Sequence, residues 1–305
     1  ALHMAGNDQT ERPFSAPANM VGSKHDAGVT EVDVLYVTDF RFPGGNSSLA
    51  AREIGLLVQE GYRVGLLNLT SPVNSAQASI REPFLRIAND PLVSVVSTMD
   101  AVRAGLTLVR HPSVLQYPEQ IRSGVETDRV IVIVNHAPFT RDGFGSIYDI
   151  SAVEASASVI FGQEPSFAPE SGLIRDGLKG LLPPSMVLPS NWPGVVATAP
   201  DLPDTVADPR PIIGRHSRDH VAKWPETAKL LLESYPEGAG YEVRILGGAE
   251  TPRRILGAIP ENWTVHEFGA MPPSEFLRDV PFWVYQHNSS LTESFGMAAA
   301  EAMAA

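Results

Sequence analysis

Short, continuous runs of branched apolar residues are the feature that most limits the folds open to this chain. Residues 130–134 read V-I-V-I-V, and residues 32–38 are nearly as apolar. A strand reads this way when both of its faces are buried, and such strands occur mainly in parallel sheets that helices cover on each side. The runs therefore predict an α/β fold.

The first such run opens a strand, turn, helix and strand unit. The helix is predicted at residues 49–60 and the second strand at residues 63–69. This order is typical of the start of a doubly wound, Rossmann-like nucleotide-binding domain. The turn contains Gly44 and Gly45, whose backbone can approach a phosphate or sugar closely. A glycine pair also occurs in turns that merely connect two elements.

The remaining pattern predicts two α/β halves, each built around a parallel sheet. In the first half, further strands are predicted at residues 92–97, 106–112, 130–134, 158–162 and 186–189. In the second half, strands are predicted at residues 211–217, 241–248, 264–268 and 281–286, with helices at residues 227–235 and 274–278.

The domain boundaries follow from composition. Residues 1–28 are expected to be a disordered tail that includes a tag remnant, and residues 29–195 form the first Rossmann-like domain. A stretch rich in proline and acid, residues 196–210, predicts a linker. Residues 211–305 form the second Rossmann-like domain. Because the chain stops two to three turns into a predicted helix, we expect this domain to be truncated at its C-terminus.

Charge and composition exclude several classes of function. The formal net charge of −12 argues against a surface that binds nucleic acid or an anionic membrane. No apolar run approaches the roughly 18–20 residues that a transmembrane helix needs. The chain contains no cysteine, so disulfides and thiolate metal sites are impossible. We expect a cytoplasmic protein.

A basic loop follows the first strand of the second half in an otherwise acidic chain. It contains Arg215, Arg218 and Lys223. Arginine binds phosphate in a bidentate manner, and lysine supplies a mobile point charge. The loop can therefore bind a diphosphate, although a solvated charged turn has the same composition. No D-x-D sequence is present to hold Mg²⁺ beside a nucleotide diphosphate, so we expect no metal and no cofactor.

Three histidines are candidate functional residues. His136 follows the strand at residues 130–134, and ligands of open α/β sheets bind beyond the carboxyl ends of strands. A histidine at a strand end can equally be structural. His216 and His220 have the spacing of a zinc pair, but the segment lacks the glutamate of H-E-x-x-H and is not predicted to be helical.

The last thirteen residues hold two glutamates, Glu293 and Glu301, that bracket a Phe-Gly pair and three alanines. Eight residues of helix rise by about 12 Å, so the two carboxylates can reach opposite parts of one elongated ligand. The helix N-terminus between them favours an anion. Two exposed glutamates on an amphipathic helix would give the same spacing.

This last segment resembles the E-x7-E signature of retaining, nucleotide-sugar-dependent glycosyltransferases of GT-B fold, family 4. The match runs from residue 290 to residue 304 and departs from the usual E-G-F-G pattern at Ser294. The loop from Gly214 to Lys223 is similar to the family's phosphate loop. The resemblance covers most of residues 32–305, including the glycine turn and His136.

The resemblance implies transfer of a sugar from a nucleotide diphosphate donor with retained configuration. The first domain is then the acceptor domain and the second the donor domain. His136 and Glu293 would contact the reacting sugar, and Glu301 the ribose. The other donor-binding residues implied are Gly44, Gly45, Arg215, Arg218, Lys223, Met271, Ser294, Phe295 and Gly296. UDP is one candidate nucleotide, and loops at residues 74–84 and 139–145 are candidates for acceptor binding.

Alternatives to a glycosyltransferase remain open at the level of the sequence. A sugar-nucleotide epimerase of GT-B fold or a phosphorylase-like enzyme would share the architecture, and a non-catalytic nucleotide-sugar-binding or scaffolding protein would share the site. A dehydrogenase is disfavoured because the G-x-G-x-x-G fingerprint is missing, and a P-loop sequence is also missing. The acceptor and the oligomeric state are not indicated by any motif.

Overall fold

A seven-stranded parallel sheet forms the first half of the protein among the described residues. The computed structural model describes residues 28–42, 45–73, 79–117, 124–139, 146–196, 210–291 and 293–305. The strands of this sheet are β1 (Val29–Thr38), β2 (Val64–Asn68), β3 (Val93–Val96), β4 (Ala101–Arg110), β5 (Val125–Thr127), β6 (Val130–Val134) and β7 (Ser166–Pro169). Their order is β3-β2-β1-β4-β6-β7, with β5 beside β4.

The core covers both faces of this sheet, as the apolar runs predict. In β1, Leu35 and Val37 pack into the cluster on one face, whereas Val34 and Tyr36 pack into the cluster on the other. Tyr36 is in register with Leu66 of β2 and Leu108 of β4. Because both faces are buried, polar side chains collect where the strands end.

Four helices flank the first sheet in the described part of the chain: α1 (Gly45–Gln59), α2 (Glu82–Ile87), α3 (Ile150–Phe161) and α4 (Gly172–Leu178). The predicted strand at residues 158–162 is wrong, because those residues form the end of α3. Asp149 caps the start of α3, and Gly162 ends the helix in the left-handed conformation. Val159 made the segment look apolar, but its side chain is 78% exposed.

The predicted strand at residues 186–189 is also wrong. Residues Pro184–Met186 form a 3₁₀ turn, and Val187 makes a single isolated bridge to Phe167. The segment is apolar because Met186 packs into the hydrophobic core of the first half. A buried turn can therefore have the same apolar sequence as a buried strand.

The second half contains a parallel sheet with the strand order β10-β9-β8-β11. Its strands are β8 (Ile212–His216), β9 (Glu242–Leu246), β10 (Trp263–His266) and β11 (Phe282–Trp283), and its helices are α5 (Ala228–Ser234), α6 (Glu250–Leu256), α7 (Pro273–Arg278) and α8 (Met297–Ala304). The strands agree with the predicted ones, except that β11 is shorter than residues 281–286.

Several predicted segments lie outside the described residues. They include residues 1–27 of the predicted tail and residues 197–209 of the predicted linker. Gly44, residues 74–78 of one candidate acceptor loop and residues 140–145 of the other lie there as well. Within the described parts of the chain, no helix combines the length and apolar character that crossing a bilayer requires.

Gly214 provides a test of how β8 packs against Val280 within the second half. A Cβ at this position would lie 2.2 Å from one γ-methyl of Val280 and 2.7 Å from the other. We expect Gly214→Ala to lower the free energy of unfolding by about 1–3 kcal/mol, because added atoms overpack a filled core. Urea denaturation measures this change.

The matched control is Gly240→Ala, since a Cβ there meets no atom within 4 Å. Equal denaturation midpoints for the two variants would contradict the packing described for β8.

Candidate functional site

A cavity of about 510 Å³ lies between the two halves, where the strands of both sheets end. The first half contributes the start of α1, the residues after β6 and Glu170 after β7. The second half contributes the loop after β8 and the segment from Glu293 through α8. Ligands of open α/β sheets bind at this edge of the strands.

The structure brings most of the predicted site residues together in the wall of this cavity. They are Gly45, His136, Arg218, Lys223, Met271, Glu293, Ser294, Phe295, Gly296 and Glu301. These residues come from positions far apart in the chain, and the fold brings them to the surface of one cavity. Two residues are exceptions: Gly44 lies outside the described residues, and Arg215 does not line the cavity.

Arg215 lies in β8 and not in the loop after it that carries Arg218 and Lys223, and its side chain is fully buried. One terminal nitrogen donates hydrogen bonds to the Tyr235 hydroxyl at 3.2 Å and to the Gln286 carbonyl at 3.3 Å, and the other donates to the Lys223 carbonyl. The guanidinium also lies 3.8 Å from the centre of the Trp224 ring. Arg215 thus holds the loop that carries Lys223, and its side chain does not reach the cavity wall where the predicted diphosphate contact would be made.

Lys223 and Glu293 face each other in the cavity wall. The Lys223 ammonium donates to one carboxylate oxygen of Glu293, and the Tyr285 hydroxyl donates to the same oxygen at 2.6 Å. Burial raises the pKa of Glu293, but the charge and hydrogen bond of Lys223 and the hydroxyl of Tyr285 outweigh it, so this pKa lies below its ordinary value. Glu293 is therefore ionised at neutral pH.

Glu301 lies in α8 and contacts both halves of the protein. One oxygen accepts a hydrogen bond from Arg52 of α1 at 2.7 Å, and the other lies 3.2 Å from Nε2 of His216. Burial raises the pKa of Glu301, but the bonds to His216 and Arg52 lower it below its ordinary value. The carboxylate is therefore ionised in a largely covered position.

The start of α8 is open to the cavity. The preceding residue, Gly296, has φ of 76°, and no side chain among the described residues caps the first turn. This left-handed conformation favours glycine over any residue with a Cβ. The first amides of α8 consequently have no capping oxygen from a side chain, which leaves them suited to an anion.

His136 is exposed to the cavity on the first-half wall. The Tyr148 hydroxyl donates to its backbone carbonyl and holds the turn after β6. The cavity walls desolvate the imidazolium and lower the pKa of His136, while the negative charge of Glu293 opposes this change. A neutral imidazole at pH 7 can both donate and accept a hydrogen bond.

Several polar residues of the cavity wall were not predicted to bind the donor. They are Asn46, Ser48, Arg52, Asn135 and Glu170 of the first half and His216 and Ser217 of the second half. Asn135 and Glu170 each follow a strand end, and that position was a usable signal. No sequence pattern marks Arg52 as a site residue, because its partner Glu301 lies in the other half of the chain.

A buried charge network lies behind that wall. Arg110 donates to Glu53 at 2.6 Å and to Glu170 at 2.8 Å, and all three side chains are at most 8% exposed. Burial raises the pKa of Glu170, with Arg110 opposing the rise. Removing one partner of such a network costs about 3–5 kcal/mol, because the other charges are left buried. The network ties α1 to the ends of β4 and β7.

Metal binding has no candidate site in the described part of the chain. No group of three or more His, Asp and Glu side chains there is arranged to hold an ion. His216 uses its ring nitrogens for contacts with Glu301 and Trp283. The expectation that the protein works without a metal stays a prediction.

Several solved structures are similar to this chain at low sequence identity and with TM-scores below 0.5. WaaG, a glycosyltransferase involved in lipopolysaccharide biosynthesis, is 10% identical with a TM-score of 0.49, over 89% of this chain and 78% of that one. The lipopolysaccharide outer core galactosyltransferase WaaB has the same identity and coverages with a TM-score of 0.48. TarM from S. aureus, in a complex that includes UDP, is 14% identical with a TM-score of 0.40, over 63% and 43% of the two chains. No protein-family model and no curated protein sequence matches the chain.

The titration of His136 tests the geometry of the cavity. We expect its pKa to lie below 6.5, the ordinary value for histidine, and to fall further in Glu293→Gln. The sign follows from charge, since the carboxylate favours the protonated imidazolium and its removal favours the neutral ring. Histidine side-chain NMR measures both values.

Glu237→Gln serves as the control, because Glu237 is an exposed residue outside the cavity wall. A His136 pKa that rises or stays constant in Glu293→Gln would show that the two residues do not face each other.

Proposed function

We propose that the protein is a glycosyltransferase that takes a sugar from a nucleotide diphosphate donor and transfers it to an acceptor with retention of configuration. The observation that carries this proposal is the convergence of Arg218, Lys223, Glu293, Glu301 and the start of α8 on one cavity. The cations and the helix start suit a diphosphate, and the two carboxylates suit sugar hydroxyls. No single residue would carry the argument alone.

The diphosphate would lie against Lys223, Arg218 and the first turn of α8. Arg218 is exposed at the cavity, and Lys223 is held there by the buried Arg215. A pre-arranged set of cations and amides stabilises the negative charge that develops on a departing diphosphate. The groups lie on a loop that Arg215 holds by a hydrogen bond and on a helix end, so little reorganisation would be needed when the bond breaks.

The two carboxylates would serve the two sugars of the donor. Glu301 would accept hydrogen bonds from the ribose hydroxyls, and Glu293 from hydroxyls of the transferred sugar. The base would lie beside Phe268 and Met271, which line the same cavity. Phe268 is 60% exposed, and this leaves an aromatic face for a base to pack on.

In the reaction proposed, the bond between the anomeric carbon and the donor phosphate oxygen breaks, and a bond from the acceptor oxygen forms on the same face. The acceptor proton passes to the departing phosphate oxygen. The anomeric carbon becomes oxocarbenium-like, as in glycoside hydrolysis. His136 would hold a hydroxyl of the reacting sugar. Glu293, already paired with Lys223 and Tyr285, would orient the sugar and not act as a nucleophile.

Nucleotide binding tests the proposal first. We expect one of UDP, GDP and ADP to raise the melting temperature, since a ligand that binds only the native state stabilises it. Turnover of the corresponding nucleotide-sugar with and without candidate acceptors then separates the possible functions. Epimerised free donor would indicate an epimerase, and binding without any turnover would indicate a non-catalytic binding protein.

Lys223→Gln tests the assignment of the diphosphate. A hydrogen bond to a charged group contributes about 1.5–3 kcal/mol, so we expect the affinity for the nucleoside diphosphate to fall roughly ten- to one-hundredfold. Affinity for the nucleoside without phosphates should not change. Isothermal titration calorimetry measures both.

Lys229→Gln is the control, because the Lys229 side chain is 84% exposed and lies outside the cavity wall. If Lys223→Gln weakened the nucleoside and its diphosphate equally, Lys223 would not be a phosphate ligand.

A further inference from the structure

Arg52 and Glu301 form an ion pair that joins the two halves of the protein across the cavity. Arg52 lies in α1 of the first half, and its terminal nitrogen lies 2.7 Å from a carboxylate oxygen of Glu301 in α8. Both side chains line the cavity, and they are 32% and 14% exposed. The residue proposed to bind the ribose is thus held by a residue from the opposite domain.

His216 holds the other oxygen of Glu301. The Trp283 indole N–H donates to Nδ1 of His216 at 2.9 Å. An indole nitrogen is only a donor, so Nδ1 must accept and the ring proton must be on Nε2. Nε2 lies 3.2 Å from Glu301 and donates to it. Trp283 therefore fixes the tautomer that His216 needs in order to hold the carboxylate.

The hydrogen-bonding capacity of Glu301 leaves room for two more donors. A carboxylate can accept about four hydrogen bonds, two on each oxygen. Among the described residues, Arg52 takes one position on the first oxygen and His216 takes one on the second. One position on each oxygen remains for the cavity. Two adjacent hydroxyls, such as the 2′ and 3′ hydroxyls of a ribose, would fill them.

We propose that Arg52 is a positioning residue for the ribose of the donor nucleotide, supplied by the first half of the chain. This inference rests on the proposed function, and it adds a residue from the acceptor domain to the donor site. Arg52 holds Glu301 in the orientation that a vicinal diol requires. The ribose site is therefore complete only while α1 and α8 face each other across the cavity.

The proposal predicts a loss of affinity that depends on the ribose hydroxyls. In Arg52→Gln, Glu301 keeps the bond to His216 but loses its restraint and its countercharge. We expect about a three- to tenfold weaker affinity, in line with the cost of ordering one free side chain on binding. A 2′,3′-dideoxy nucleotide cannot use Glu301 in this way, so its affinity should change less than twofold.

The experiment is calorimetry with UDP, GDP and ADP on the wild-type chain, followed by the dideoxy form of the nucleotide that binds most tightly. Both ligands are then titrated into Arg52→Gln, Arg52→Lys and Arg63→Gln. Arg52→Lys should restore part of the lost affinity, because it keeps the charge but not the planar geometry. Arg63→Gln removes an ion pair of the same half, to Asp33, away from the cavity and should change neither affinity.

Each possible result supports or contradicts the proposed positioning role of Arg52. A loss confined to the nucleotide with both hydroxyls supports the proposal, and the dideoxy affinity shows in the same variant that the fold is intact. An equal loss for both ligands would assign Arg52 to the diphosphate and overturn the inference. Unchanged affinity would also overturn the inference, because Arg52 would then not contribute to ribose binding. Tighter binding would overturn it as well, because Arg52 would then compete with the ribose for Glu301. Absence of binding by the wild-type chain would overturn the proposed function itself, together with the inference that rests on it.

Discussion

Burial of both faces of each sheet is the constraint on which this structure depends. Helices and apolar side chains cover the sheets, so polar residues gather at the strand ends and at the helix ends beside them. Asn135 and His136 follow β6, Glu170 follows β7, and the basic loop follows β8. The cavity lies where these two polar edges meet.

Two buried arginines hold the elements that line this cavity. Arg110 ties α1 to the ends of β4 and β7 in the first half, and Arg215 ties the basic loop to the neighbouring aromatic residues in the second. A buried charge is costly unless its partners are well placed, and both guanidiniums make several hydrogen bonds. Neither arginine lines the cavity, and each holds a residue that does: Glu170 in one case and Lys223 in the other.

The α/β fold and most elements could be predicted from the sequence, because apolar runs and glycine turns are local signals. Residues 158–162 and 186–189 are as apolar as strands in sequence, but the first is a helix end with Val159 exposed and the second is a turn packed into the core through Met186. The grouping of the site residues followed from strand ends and from the E-x7-E resemblance. The inward position of Arg215 and the pairing of Arg52 with Glu301 depend on tertiary packing, which no local pattern records.

A crystal structure with the bound nucleoside diphosphate tests the central claim, that this cavity is a donor site shared by both halves. We expect the diphosphate beside Lys223 and the first turn of α8, with the ribose hydroxyls on Glu301 and Arg52 still paired to that carboxylate. A nucleotide bound outside the cavity, or one whose ribose is remote from Glu301, would show that the cavity is not such a donor site.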